Sequence, residues 1–587
     1  MNLMQLYEEI KNPLEDNDTL LRLIDVYAKS SDGHIARGSD FYGKLVNTVE
    51  KDKNSNFNTA DRDEFYSNIF NKWKNSIVSM TKDEYDELNK KGSYDSDFIV
   101  LREFLKTVPN LKTREEVFDI VYGKYNNKEL EGALKKYKWD AFGEGPGWTH
   151  IASRYLNAKK ESSIKVEHRL YLDTEVADIF KLLNLLMNKF EQYNLPFYFK
   201  YAEFDVRDDT IVIYSSTELL IKYVEILKEI QKENPELISK TKKPPLLTGK
   251  IDNWIGYGSE PERDFNGDTQ SFNGIRTKVI EPVLDEITIN WIMNHLDMTI
   301  VYQGEMITFK DYVLKKCVER LIEKYEREFK SAERVRKSEA LKKGTTYSEQ
   351  QLIYDKGYSL QDLNSTIFKQ NVFNILKKQI DNNLFLLKNR RLNEVPRIKM
   401  SVRNGKEISF FRENFSSAIR GILPNIIKND SSVLDEIKNN IYEVSKHYGI
   451  DINKFCFDVK TVENFKNQDA KRYSDYVSVE KNKYNSENIS VQTIADIINP
   501  ELIKKRLKLP NGVEISSRQY IQEIVYPYLP SDGIVILNNG AKLSIKQFIE
   551  ECVMFDCQEN YNGDFEKYVN DKTINLGVNE STESKKR

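Results

Sequence analysis

The run Val166-Glu-His-Arg-Leu-Tyr-Leu172, with Phe197-Tyr-Phe-Lys-Tyr201 and Thr210-Ile-Val-Ile-Tyr214 after it, decides the fold class. The first run mixes polar and apolar residues with strand character. Asp173-Thr174 supplies capping side chains for a helix from Val176 to Tyr193, whose apolar residues include Ile179, Phe180, Leu183, Leu186, Met187 and Phe190. Asn194-Leu-Pro196 ends that helix. Phe197–Tyr201 follows as a strand, and Thr210–Tyr214 is short and apolar enough to be a central one. Ser215-Ser-Thr217 caps a second helix, Glu218 to Glu233. Strand, helix, strand, strand and helix in close order predict an α/β or α+β domain. Further on, Lys242 to Lys250 reads as a Pro-containing loop and Asn253 to Gly274 as a Gly-rich stretch of little periodicity. Ile275 to Trp291 reads as helix.

On the N-terminal side, residues 1–140 read as mostly helical. Leu20, Leu23, Ile24 and Tyr27 fall on one helix face, and Phe98, Leu101, Phe104 and Leu105 mark another amphipathic stretch. Thr113-Arg-Glu-Glu116 has the pattern of a capping box. Lys51 to Asp61, polar and rich in Asn and Asp, reads as a loop. On the C-terminal side, Glu319 to Lys343 alternates Glu with Lys and Arg at near-helical spacing, which predicts a solvated helical stalk broken at Gly344-Thr-Thr-Tyr347.

A short internal repeat follows. Gly304-Glu-Met-Ile-Thr-Phe-Lys-Asp-Tyr-Val313 aligns with Gly512-Val-Glu-Ile-Ser-Ser-Arg-Gln-Tyr-Ile521 and with Gly540-Ala-Lys-Leu-Ser-Ile-Lys-Gln-Phe-Ile549; Asn404-Gly-Lys-Glu-Ile-Ser409 begins a looser copy. Each copy reads as a tight turn, an apolar strand residue, a Ser or Thr helix cap and an apolar helix face. Such a unit serves either as a protein-docking module or as a cap completing a neighbour's core. The expected organisation is α+β and multidomain: a helical region over 1–140, a mixed α/β domain over 141–300, a helical stalk over 301–395, hairpin–helix repeats over 396–575 and a disordered tail over 576–587.

The chain has 587 residues, long enough for about three or four domains of ~150 residues. Hydrophobic residues make up 40%, enough for several cores, while 30% charged residues and a mean hydropathy of −0.60 imply a well-solvated surface. The 88 basic and 91 acidic residues give a net charge of −3. The basic runs Lys240-Thr241-Lys242-Lys243, Lys388 to Arg391 and Lys504 to Lys508 are short, so no nucleic-acid partner is expected. Four cysteines, Cys317, Cys456, Cys552 and Cys557, are too few to staple this chain and predict a reducing, cytoplasmic compartment. No run of ~18 apolar residues occurs, so no membrane partner is expected. The Gly-Xaa4-Gly-Lys phosphate loop, His-Glu-Xaa-Xaa-His and Gly-Xaa-Ser-Xaa-Gly are absent; Gly143-Glu-Gly-Pro-Gly147 is a weak dinucleotide signal. No metal and no cofactor are expected.

Four blocks stand in order: His168-Arg-Leu-Tyr-Leu-Asp173, Leu195-Pro-Phe-Tyr-Phe-Lys200, Arg207-Asp-Asp-Thr-Ile-Val-Ile-Tyr214, and Gly258-Ser-Glu-Pro261 with Ser271-Phe-Asn-Gly-Ile-Arg276. Together they resemble the HopA family of type III secretion effectors, over about a quarter of the chain. Asn273 inside the last block and the long flanking regions depart from the family pattern. The resemblance implies a bacterial protein, with delivery into a host cell, and relatives that act as lyases in lanthipeptide and thioamitide biosynthesis. Those lyases eliminate phosphate from phosphoserine or phosphothreonine. The resemblance thus implies either such a lyase or a phosphopeptide-binding relative, and the implied partner is a protein or peptide that can carry phosphate.

That chemistry needs a base for the Cα proton, cations for the phosphate and a proton donor. Lys200 and His168 are the candidate catalytic residues, and Arg169, Arg207 and Arg276 the candidate phosphate ligands. Strand alternation puts His168 and Arg169 on opposite faces, so one of the two at most enters a given pocket. Each candidate has a plain structural alternative. His168 could be a packing residue, Lys200 a lysine reaching for water, Arg207 a local ion pair with Asp208 or Asp209, and Arg276 a tie between loop and domain. A second function class is a non-catalytic interaction or delivery protein of a mobile element or phage, docking through the C-terminal repeats.

Overall fold

The computed structural model describes residues 1–483 apart from 32–33, 36–37, 49–55, 90–94, 124–126, 138–147, 154–163, 203–206, 264–268, 357, 389–397, 402–406 and 411; beyond 483 it describes 507–508, 514–515, 533–536, 542–547 and 575–578. The chain is mixed α+β and divides into two compact units, Ile10–Thr461 and Met1–Glu9 with Val462–Arg587.

A six-stranded sheet organises the first unit. Its strands are β1 (Thr149–Ala152), β2 (His168–Leu172), β3 (Tyr198–Tyr201), β4 (Ile211–Ser215), β5 (Gly249–Lys250) and β6 (Ile255–Ser259), in the order β1-β3-β4-β2-β6-β5. Every neighbouring pair is antiparallel. β2 and β4 lie at the centre and are buried along their whole length. The helices used below are α1 (Asn17–Ala28), α2 (Asp40–Leu45), α3 (Thr59–Ser79), α4 (Ile179–Gln192), α5 (Thr217–Glu233), α6 (Phe272–Asn294), α7 (Phe309–Lys342) and α8 (Arg412–Arg420).

One sheet face is apolar and covered by helices. Phe190 of α4 meets Phe199 edge-on at 5.5 Å and Tyr223 of α5 at 4.5 Å. Phe65 of α3 packs on Phe180 and Tyr201. The helical region before residue 140 therefore shares one core with the sheet, and the expected boundary there separates kinds of element, not cores. A glycine is required on the opposite face, where a Cβ on Gly258 would stand 2.6 Å from the Phe272 ring at the start of α6.

Several local expectations hold. Leu20, Leu23, Ile24 and Tyr27 are buried, and Thr113 and Glu116 cap each other's amides. Others are corrected. The loop expected over Lys51–Asp61 already turns helical at Thr59, because Asn58 accepts from the amides of Ala60 and Asp61. Asp173 does not cap α4, which starts at Ile179 after a 3-10 turn; its carboxylate takes the Thr210 hydroxyl at 2.7 Å instead. Ser216 makes no side-chain cap on α5, and Glu167 accepts from the Thr217 amide at 2.9 Å in its place. The Gly-rich stretch Asn253–Gly274 holds β6, where Gly258 lies under Phe272 of α6 and Gly256 against Pro244 and Thr248.

The expected stalk begins as a packed helix. α7 buries Phe309 through Phe329 on one face and is solvated beyond, where Lys330–Glu326 and Lys337–Glu333 pair one turn apart. Gly344, at φ 62°, ends it. In front of α7, β7 (Thr299–Tyr302) and β8 (Glu305–Thr308) form a hairpin through Gln303 and Gly304, both at positive φ. Thr308 caps α7 through the Asp311 amide at 3.1 Å. This is the hairpin–helix unit expected from the repeat. The hairpin Ile398–Ser401 with Glu407–Phe410, followed by α8, has the same order.

Arg420 at the end of α8 is 2% exposed and closes a buried network. It meets Glu281 at 2.9 Å and Asp285 at 2.9 and 3.0 Å, and donates to the Ser30 hydroxyl at 3.0 Å. Tyr27 donates to Asp285 at 2.7 Å.

In the second unit, the helix Leu3–Glu9 buries Leu3 and Leu6, and Asp469 accepts from the Met4 amide at 2.9 Å. Gly533–Ile536 pairs with Lys542–Ser544, and Ser544 caps the following turn through the Gln547 amide at 3.2 Å. Asn575–Val578, at the edge of the segment expected to be disordered, pairs with Gly533–Ile536; its apolar residues alternate as a strand requires. Gly143–Gly147, Asn404 to Lys406, Cys552, Cys557 and 579–587 lie outside the described residues, as does most of the 512–521 copy.

Candidate functional site

Register places the candidates. β2 sets Arg169 opposite Tyr214 of β4 and Gly258 of β6. β3 sets Tyr198 opposite Tyr214 and Lys200 opposite Val212, and β1 sets His150 opposite Lys200. Residues paired across antiparallel strands share a face. Arg169, Tyr171, Tyr198, Lys200, Tyr214 and His150 thus stand on the side away from α4 and α5.

There they form a polar cradle with aromatic walls. The Lys200 ammonium lies 4.1 Å from the centre of the Trp148 ring and 5.9 Å from that of Tyr214. Arg207, from the loop leading into β4, faces the Trp148 ring at 5.0 Å, and Arg169 faces Tyr214 at 5.6 Å. Tyr198 stacks on Tyr214 at 4.7 Å, and its hydroxyl is 2.9 Å from His150 Nδ1. Both arginines are oriented by carboxylates. Arg169 binds Glu260 through Nε and Nη2, the latter at 2.7 Å, and donates to the Gln270 carbonyl at 3.1 Å. Arg207 Nε donates to Asp209 at 2.8 Å. At the rim, the hydroxyls of Tyr42 on α2 and Ser271 at the start of α6 are 3.3 Å apart.

Among the described residues, three cations stand against two carboxylates, which leaves one positive charge over. Lys200 carries it: among the described residues no carboxylate lies within 4.0 Å of its nitrogen. Lys200 is half-buried, and desolvation lowers its pKa to about 8. Arg169 and Arg207 push the same way, while Asp209 and Glu260 pull back. Cation–π attraction to Trp148 also favours the charged form. Desolvation, with the charge of Lys200, holds His150 down at about 4, so it is neutral at pH 7.

His168 and Arg276 are not in this cradle, and both assignments are corrected. His168 is 1% exposed on the opposite face. The Thr217 hydroxyl donates to the Glu167 carboxylate at 2.8 Å, so its oxygen accepts from His168 Nε2–H at 3.0 Å. Nδ1 then accepts from the Tyr257 hydroxyl at 3.0 Å. Desolvation lowers this imidazole to about 3, which leaves no proton to give at neutral pH. Arg276 is fully buried. It donates to Asp458 at 2.6 Å and to the Phe455 carbonyl at 3.3 Å, tying α6 to residues 455–458.

The sequence reading missed Trp148, His150, Tyr198 and Tyr214 as walls of the site. The signal was present in Trp148-Thr-His150-Ile, whose alternate residues share a face once the segment is a strand. Among the described residues no group of three His, Cys, Asp or Glu side chains is placed to hold a metal ion. No protein-family model, curated protein or solved structure matches the chain.

Proposed function

We propose that the Lys200 face of the sheet binds a phosphorylated serine or threonine of a protein or peptide and removes its phosphate by β-elimination, as the HopA resemblance implies. The observation that carries this reading is Lys200 sharing the Trp148 ring with Arg207 and the Tyr214 ring with Arg169, with no carboxylate of its own among the described residues. Lys200 takes the Cα proton. The C–H electron pair becomes the Cα=Cβ bond, the Cβ–O bond breaks, and inorganic phosphate leaves with that pair. The other product is dehydroalanine or dehydrobutyrine. With a pKa of about 8, roughly a tenth of Lys200 is free base at pH 7.

Arg169 and Arg207 supply planar donors for the phosphate oxygens. Glu260 and Asp209 hold them in place beforehand, and an arriving phosphate competes with those carboxylates for the guanidinium edges. With His168 on the far face, the hydroxyls of Tyr198 and Tyr214, which share the cradle face with Lys200, would be the proton donors. The test is incubation of the full chain with phosphoserine and phosphothreonine peptides, followed by mass spectrometry for loss of phosphoric acid. No elimination and no phosphopeptide binding in any sequence context overturns the reading.

A second reading, a protein-interaction module, draws on the hairpin before α7. Val301 and Met306 face each other in its register and are 70% and 68% exposed. A pull-down comparing the full chain with a V301K/M306K variant tests it. A partner lost with the variant supports this reading, and no partner for either chain counts against it.

A further inference from the structure

We infer that Lys200 is also a nucleophilic amine, one that condenses with a small anionic carbonyl compound, a 2-oxo acid or an aldehyde bearing a carboxylate, to form an imine. The inference shares the free amine with the lyase reading but does not rest on a phosphorylated substrate.

Three features of the cradle lead there. First, Lys200 differs from other partly buried lysines of the unit. Lys189 is 2.6 Å from Glu229, Lys250 is 2.9 Å from Asp16 and Lys316 is 2.8 Å from Glu319, whereas Lys200 meets only aromatic rings among the described residues. Second, two guanidinium groups share its face. They oppose the ammonium form, and a carboxylate on the carbonyl compound would compete with Glu260 and Asp209 for their planar edges. Third, Lys200 is half-buried beside the rings of Trp148 and Tyr214, a setting in which an imine meets less water than at the open surface. The depressed pKa of about 8 agrees with this placement.

The step balances without an oxidant or reductant. The amine lone pair attacks the carbonyl carbon, and a proton passes from nitrogen to oxygen to give a carbinolamine. The carbinolamine hydroxyl then takes up a proton and leaves as water while the nitrogen lone pair forms C=N, and the resulting iminium returns that proton from its N–H to give the imine. Tyr198, two residues before Lys200 on β3, and His150, opposite Lys200 in register and 2.9 Å from the Tyr198 hydroxyl, stand on the same face to pass that proton.

The experiment treats the full chain at pH 7 with glyoxylate, or with acetaldehyde as a neutral control, each with cyanoborohydride to trap the imine. Peptide mapping reads the labelling rate at each lysine. Lys200 is expected to label with glyoxylate about tenfold faster than exposed lysines such as Lys29 and Lys135, because its free-amine fraction is larger. The glyoxylate-to-acetaldehyde ratio at Lys200 is expected to fall in R207Q. Labelling of Lys200 no faster than that of exposed lysines, or no preference for the anionic aldehyde, overturns the inference. The comparison is made within one folded protein. A failed phosphopeptide assay leaves it standing, and a failed trap leaves the lyase reading standing.

Discussion

His168 and Arg169 are consecutive in the chain and serve opposite sides of one sheet. The imidazole is locked between Thr217 and Tyr257 on the helical side, while the guanidinium is locked to Glu260 on the cradle side. Both side chains are buried, so exposure alone does not tell them apart.

The lock on His168 predicts an acid-sensitive fold. Its folded pKa of about 3 lies below the unfolded value of 6.5, so the unfolded chain binds more protons between them. This group's contribution is complete above about pH 6.5 and is lost as pH falls toward 3, at about 1.4 kcal/mol per unit. In H168Q, the dependence of unfolding free energy on pH between about 4 and 6 is expected to lose one proton's worth of slope, read by denaturant titration at several pH values.

Lys200→Met is expected to abolish phosphate elimination and yet raise stability at pH 7 by about 1–2 kcal/mol, since a half-buried cation is removed. In the native protein, elimination should rise with pH through about 8 as the amine deprotonates. Phosphate release across a pH series and melting curves of the variant check both halves.

Arg276→Met separates the tie from the cradle. It leaves the Asp458 carboxylate buried without its partner, and the expected cost is about 3–5 kcal/mol by chemical denaturation. Elimination per folded molecule should be unchanged at low temperature, because among the described residues Arg276 meets Asp458, the Phe455 carbonyl and the Phe272 ring and no cradle side chain.

Gly258→Ala puts a methyl against the Phe272 ring. The start of α6 must shift, at about 1–3 kcal/mol, and Gln270 moves with it away from Arg169. A fall in both stability and elimination is expected. Gly304→Ala, strained only by φ 84° in the hairpin, should cost about 1 kcal/mol and leave elimination alone.

Much of the sheet was legible because its elements carry their own periodicity. Thr210–Tyr214 is apolar enough to announce a central strand, and α4 shows its core face through Phe180, Leu183, Met187 and Phe190. β6 was not legible, since Gly256 and Gly258 read as loop. The reason for Gly258, the ring of Phe272, lies fourteen residues on and appears only after folding. For the site, alternation correctly set His168 and Arg169 apart, but β2 is buried on both faces, so its pattern could not say which face carries the cradle. Arg169, Lys200 and Arg207 do come together. Arg276 was misassigned because a buried arginine that ties a helix to a distant loop looks, in sequence, like one that waits for an anion.

Arg420 has a consequence for synthesis. Glu281 and Asp285 are made long before it, and the segment 455–458 that receives Arg276 comes later still. A nascent chain that has emerged only to the end of α6 holds the whole sheet but has neither the cation for those acids nor the acid for Arg276. The first unit therefore closes late on the ribosome, and ribosome-bound chains stalled before residue 420 should stay protease-sensitive while those released past 461 should not.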